Sequence, residues 1–184
     1  MRKRVSTNAL VLLLFCLATV SASSPQTLNT LTDFNQTNGS FPAAVMSQGF
    51  DGNLYGTTVQ GGVANSGTLF KIANGGQLTT LYSFCARTNC TDGQYPYSVV
   101  VQDQSGNLWG TTKGGFPYGF GTVFKVTADG TLITVHSFNG TDGTQPKAGL
   151  TLGSDGNFYG TTSADGANNG GTVFKISQIG RAHV

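Results

Sequence analysis

Apolar positions come in short bursts cut by glycine-rich turns, and the bursts alternate instead of following a helical period. VVVQD (99–103), NLWGTT (107–112), GTVFKV (121–126) and LITVHSF (132–138) are rich in β-branched and aromatic residues and bounded by Gly, Asp and Asn. That pattern predicts four short strands, A to D. Asp51-Gly52, Ser105-Gly106 and Asp155-Gly156 join A to B, and Asn74-Gly75 and Asp129-Gly130 join C to D. Asn-Gly and Asp-Gly accept positive φ at both centres of a type I′ hairpin turn, so tight two-residue hairpins are expected. Strand D is the ambiguous element, because Leu132, Val135 and Phe138 sit three apart, a helical spacing. Its β-branched members and glycine-rich surroundings favour a strand. A sheet covered on both faces would also need apolar residues at both parities.

The same bursts recur. NLYGTT (53–58) returns as NLWGTT (107–112) and NFYGTT (157–162), and GTLFKI (67–72) returns as GTVFKV (121–126) and GTVFKI (171–176). LNTLTDF (28–34) returns as LTTLYSF (78–84) and LITVHSF (132–138), and the longer unit takes its extra residues in CARTNC (85–90). Units of about 50 residues therefore run over about 28–77, 78–131 and 132–178 within a repeat domain at 23–178. Four-stranded antiparallel units at this period predict an all-β, propeller-like array of blades. Strand 28–34 stands ahead of the first A-B-C set as a lone D strand. Three blades are fewer than the roughly four to eight that close a ring, so an incomplete ring is expected.

Both ends read differently. Arg2, Lys3 and Arg4 precede an apolar run from Ala9 to Val20, and Val20-Ser21-Ala22 offers the small residues of a cleavage site. Residues 1–22 are read as a signal peptide, too short to span a bilayer. An uncleaved anchor or a lipid on Cys16 are the weaker readings. Residues 179–184 resemble the translated end of a sequencing adapter and are read as a non-native tail, an ordinary frayed terminus being the alternative. Cleavage removes three of the ten Lys and Arg, leaving seven against eight Asp, a net charge of −1. No basic stripe survives to release counterions from a phosphate backbone, so nucleic acid is excluded as a partner. Glycine fills 27 of 184 positions, about twice the usual ~7%, and no Glu occurs at all.

GTVFK, DGNFYGTT and the SF…DG…P linker, recurring in one order three times, resemble the tandem GloVer repeat of bacterial surface proteins with interchangeable C-terminal anchors. The resemblance covers about residues 27–177. It implies a secreted bacterial protein with propeller-like repeats and an anchor further along, and it carries over no catalytic residue. This chain departs from the pattern in having few repeats and no anchor segment after Ser177.

Candidate chemistry is sparse. Asp51, Asp92, Asp129, Asp142, Asp155 and Asp165 each precede Gly, so turn chemistry accounts for them before calcium binding or acid catalysis does. His136 occupies the slot of Tyr82 in the neighbouring repeat, with no metal-spaced partner and no G-x-S-x-G elbow. No metal, cofactor or catalytic residue is assigned. Cys85 and Cys90 flank the four-residue insertion, and in an exported protein they are expected to form a disulfide, free or metal-binding thiols being the alternative. Tyr55, Trp109 and Tyr159, Phe70, Phe124 and Phe174, and Lys71, Lys125 and Lys175 are each one position seen three times, which argues for packing between blades or a solvated strand face.

The B–C loops (59–66, 113–120, 163–170) and D–A linkers (35–42, 85–96, 139–146) vary between repeats, and in an up-and-down blade they emerge on one side. A binding face is expected there. Phe116, Tyr118 and Phe120 in KGGFPYGF, with Tyr95 and Tyr97, are its candidate residues, against the alternative that they pack between blades. The function expected is a secreted or surface-displayed, non-enzymatic repeat domain binding carbohydrate or another surface protein. The alternative is a secreted carbohydrate-active hydrolase or lyase whose acids lie outside this chain.

Overall fold

The computed structural model describes residues 26–178 and the backbone of residues 182–183. The signal peptide read at 1–22 and most of the tail read at 179–184 lie outside the described residues. Three antiparallel four-stranded sheets follow one another in chain order. Blade 1 holds β1 (Ser47–Gln48), β2 (Leu54–Thr58), β3 (Thr68–Ile72) and β4 (Leu78–Ser83). Blade 2 holds β5 (Val101–Gln102), β6 (Leu108–Thr112), β7 (Thr122–Val126) and β8 (Leu132–Ser137). Blade 3 holds β9 (Thr151–Leu152), β10 (Asn157–Thr161), β11 (Val173–Ser177) and β12 (Ala182–His183). The chain is an all-β, propeller-like array of blades.

The hairpins differ from the two-residue type I′ turns expected. At the A–B junctions the NH of Gly52, Gly106 and Gly156 donates to the carbonyl of Gly49, Asp103 and Gly153, three residues back. Gly49, Asp103 and Gly153 in turn donate to Asn53, Asn107 and Asn157. The glycine alone takes positive φ at these turns (80°, 82° and 76°), while the Asp or Ser before it does not. This is the three-residue loop that closes on a left-handed glycine. The acidic side chain instead accepts from the backbone two residues on, as Asp51 does from Asn53 and Asp155 from Asn157.

The three-residue spacing of strand D has a structural cause. In β8, Leu132 and Thr134 face Val126 and Phe124, but Val123 faces His136, so Val135 is the extra residue of a bulge. Blade 1 shifts register at the same place, between Leu69 and Phe70. A bulge reverses which face the following side chains take. Leu132 therefore packs toward blade 1, and Phe138 toward blade 3.

Each blade thus has two apolar faces. Tyr55 and Leu69 of blade 1 pack with Leu108, Phe124 and Val126 of blade 2. Trp109 and Val123 of blade 2 pack with Phe158 and Ile176 of blade 3. The recurring glycine of the GTT strings makes room for the recurring phenylalanine: a Cβ on Gly56, Gly110 or Gly160 would lie within 2.6 Å of a ring atom of Phe70, Phe124 or Phe174.

The expected D strand at 28–34 is not a strand. It has no C strand of a preceding blade to pair with. Phe34 still packs edge-on against Phe70, ring centroids 5.1 Å apart, as Phe84 does on Phe124 and Phe138 on Phe174.

Candidate functional site

The D–A linkers and B–C loops are stitched together in every blade. Single antiparallel bridges join Ser40 to Gln60, Gln94 to Gly114 and Thr144 to Ala164. Beneath them, the second Thr of each GTT string pairs hydroxyl to hydroxyl with the Thr of each GT string: Thr58 with Thr68, Thr112 with Thr122 and Thr162 with Thr172, at 2.7–2.9 Å. The Thr68 and Thr172 hydroxyls also donate to the linker carbonyls of Asn38 and Asp142. The repeated threonines are thus a clamp that holds one linker against one loop.

On that clamp the chain places a residue in an unusual conformation. Phe41, Tyr95 and Gln145, each just before a proline, have φ of 58°, 57° and 53°. For a side chain larger than Gly, such backbone costs on the order of 1–3 kcal/mol and persists only where surroundings impose it. Here the Tyr95 NH donates to the Ser66 carbonyl of one loop, and its carbonyl accepts from Lys113 of the next. The side chains of Phe41 and Tyr95 are turned outward and exposed.

Blade 2 carries the aromatic residues singled out by sequence. Phe116, Tyr118, Phe120 and Tyr95 are exposed, and the rings of Tyr118 and Phe120 stack with centroids 6.4 Å apart. Tyr97 is half-buried, with the Lys113 ammonium 5.8 Å from its ring centre. A shallow hollow of about 200 Å³ lies among Tyr95, Gln94, Lys113, Gly119 and Gln145. Phe41 went unnoticed in the sequence. It shares the slot of Tyr95, and the signal was the aromatic-proline pair, Phe41-Pro42 beside Tyr95-Pro96.

The sulfurs of Cys85 and Cys90 lie at bonding distance, with Cα atoms 4.0 Å apart. The loop they close is organised by Asp92, which is fully buried and accepts from the Tyr82 hydroxyl and from the backbone of Ala86 and Arg87. Burial first, and then the hydrogen bond to Asp92, pushes the Tyr82 hydroxyl well above the ordinary tyrosine range. In the next repeat His136 stands in for Tyr82 and meets Asp142 at 2.7 Å, while Asp142 accepts from the Asn139 NH. A tyrosine doing the same work one repeat earlier makes the His136–Asp142 pair a linker clamp.

The opposite ends of the strands carry a second repeated cluster. The Tyr55 and Tyr159 hydroxyls donate to Asp51 and Asp155 at 2.8 and 2.7 Å. In blade 2 Trp109 replaces the tyrosine, and its indole NH donates instead to Asp103, two positions earlier in the turn. Glycine occupies that earlier position in the other blades, where a Cβ on Gly49 or Gly153 would meet the tyrosine ring at 2.6–2.7 Å. Lys125 lies over the Trp109 ring at 5.3 Å, and Lys175 neighbours Asp155. These acids are structural hydrogen-bond acceptors.

No curated protein matches the sequence. A solved structure provisionally described as a gluconolactonase is similar at a TM-score of 0.49 and 16% identity, over 71% of this chain and 43% of its own. This chain thus spans less than half the length of that protein. A family model described as the Gloeobacter/Verrucomicrobia repeat matches residues 17–174, nearly the whole run of GTT and GTVFK units, and the chain belongs to that repeat family.

Proposed function

We propose that this chain is an exported, non-enzymatic repeat domain that binds carbohydrate through the loop face of blade 2. Family membership supports a repeat-based structural or binding role. The observation that carries the finer reading is the stacked, exposed Tyr118–Phe120 pair. Its intervening Gly119 lines the same hollow as Tyr95, and its Phe120 carbonyl accepts from the strained Gln145 of the next linker. Rigid aromatic rings give contact area at low entropic cost and stack on the apolar faces of sugar rings. Gln94, Lys113 and Gln145 beside the hollow supply donors and acceptors for sugar hydroxyls. Tyr97, under Lys113, supports the rim.

The test is a glycan array probed with the wild-type chain and with the Phe116→Ala/Tyr118→Ala variant. Binding of a glycan class that weakens tenfold or more in the variant supports the reading, since truncated aromatic anchors cost at least about 1.4 kcal/mol. Turnover of any glycan would replace it with the hydrolase or lyase reading, and binding of a surface protein alone would replace the ligand class.

A further inference from the structure

A cavity of about 510 Å³ opens between blades 1 and 2, beside the tight turns and away from the aromatic loops. All of its lining lies between Phe50 and Gly130, within two complete four-stranded blades. The volume falls within the range of about 300–1,000 Å³ typical of small-molecule sites. Leu81, Leu108, Val126 and the Tyr55 ring give it an apolar surface. The next junction shows why space is left here. There the slots of Tyr55 and Leu108 hold Trp109 and Phe158, whose ring centroids lie 4.5 Å apart. Lys125, in the slot of Lys71, lies over the indole at 5.3 Å. Between blades 1 and 2 the smaller pair leaves a gap, and Lys71 lines it.

The charged groups of this cavity are balanced. Asp51 and Lys71 are its two charged liners, one of each sign. Among the described residues neither makes an ion pair. Asp51 accepts from the Asn53 NH, the Asn53 side-chain amide and the Tyr55 hydroxyl. A carboxylate offers about four acceptor positions, so one is left open. The Tyr55 hydroxyl is the chief cause of its lowered pKa, which keeps the carboxyl ionised at neutral pH. Lys71 brings an ammonium with three donors. Gln102 ties the two blades together at this cavity. Its side-chain carbonyl accepts from the Phe50 NH of blade 1 at 2.8 Å, and its amide donates to the Gly106 carbonyl of blade 2.

We infer that this cavity binds a zwitterion of no net charge with an apolar side chain, an aliphatic α-amino acid. Two fixed charges of opposite sign complement a ligand that carries both signs better than one with a net charge. The ligand's ammonium donates to the open position of Asp51, and its carboxylate accepts from Lys71. Its side chain covers Leu81, Leu108 and Val126. Burial of that side chain supplies affinity, and the two charged ends supply selectivity. The cavity uses none of the loop-face residues, so the inference stands or falls apart from carbohydrate binding.

Isothermal titration of the full chain with L-leucine, L-isoleucine and L-valine should give saturable binding at one site. N-acetyl-leucine lacks the ammonium and leucinamide lacks the carboxylate, and each should bind at least tenfold more weakly than leucine. Glycine should lose as much, because it leaves the apolar surface bare. Lys71→Gln should weaken leucine and remove its advantage over leucinamide, a change in selectivity that a merely structural lysine would not produce. Tyr55→Trp should abolish binding with strand content retained, because blade 2 already carries Trp109 in that slot. Failure of all three amino acids to bind overturns the inference. So does N-acetyl-leucine or leucinamide binding as tightly as leucine, or a leucine affinity unchanged in Lys71→Gln.

Discussion

Among single residues, the most informative are the aspartates at the hairpins. Asp51 is held below the usual carboxylate range chiefly by the Tyr55 hydroxyl, and Asp155 is held at about 2 by Asn157 and then Tyr159. Burial pushes Asp103 up, but the hydrogen bonds from Trp109, Asn107 and Ser105 outweigh it and leave its carboxyl lowered too. A carboxyl more acidic in the fold than in the unfolded chain, where Asp titrates near 3.9, stabilises the fold above that pH. The stabilisation is lost as pH falls from about 4 toward 2. Urea unfolding followed by the single, fully buried Trp109 should therefore give a lower midpoint at pH 3 than at pH 5. In Asp103→Asn that difference should shrink, and an unchanged pH dependence would remove Asp103 from the account. Sequence reading assigned most hairpin aspartates to turns, which they are. It missed Asp103 as the partner of Trp109, because nothing in one chain's pattern says that a larger ring moves its acceptor two positions back.

At the scale of elements, the linkers carry the individuality that the strands lack. Cys85 and Cys90 close the loop that lengthens the D–A linker of blade 2, and the Cys90 carbonyl accepts from the Phe116 NH of the aromatic loop. A disulfide around so short a loop contributes about 2 kcal/mol by chain entropy. Reduction, or Cys85→Ser/Cys90→Ser, is expected to speed amide hydrogen exchange across 85–96 and at Phe116 while the strands of blade 2 keep their protection. Native protein that titrates two free thiols after denaturation would contradict the bond. Strands B and C were legible because their strings repeat. Strand D was ambiguous because its bulge at Val135 hands Leu132 and Phe138 to opposite neighbours, a spacing that imitates a helix.

For the whole molecule, stability is expected to be a chain of nearest-neighbour junctions. Phe84 is buried between blades 1 and 2, and Phe138 between blades 2 and 3, in separate clusters. Each change to Ala should cost about 3–5 kcal/mol, read as a fall in the thermal midpoint. The double variant should lose close to the sum, because the two rings share no partner. Marked non-additivity would mean that the blades act as one core.

Sequence by itself determined the repeat, the strands that follow residue 34 and the side on which loops gather, because these depend on local alternation and on glycine at turns. It also identified the residues that recur, such as Gly110 under Phe124 and Thr112 beside Thr122. Tertiary structure alone decided which copy of a repeated residue is covered. Leu69, Val123 and Val173 hold one position in one motif, yet two are sealed and the third faces water. Burial is a property of the neighbouring blade, and a periodic sequence writes the same letter whether or not that neighbour is there.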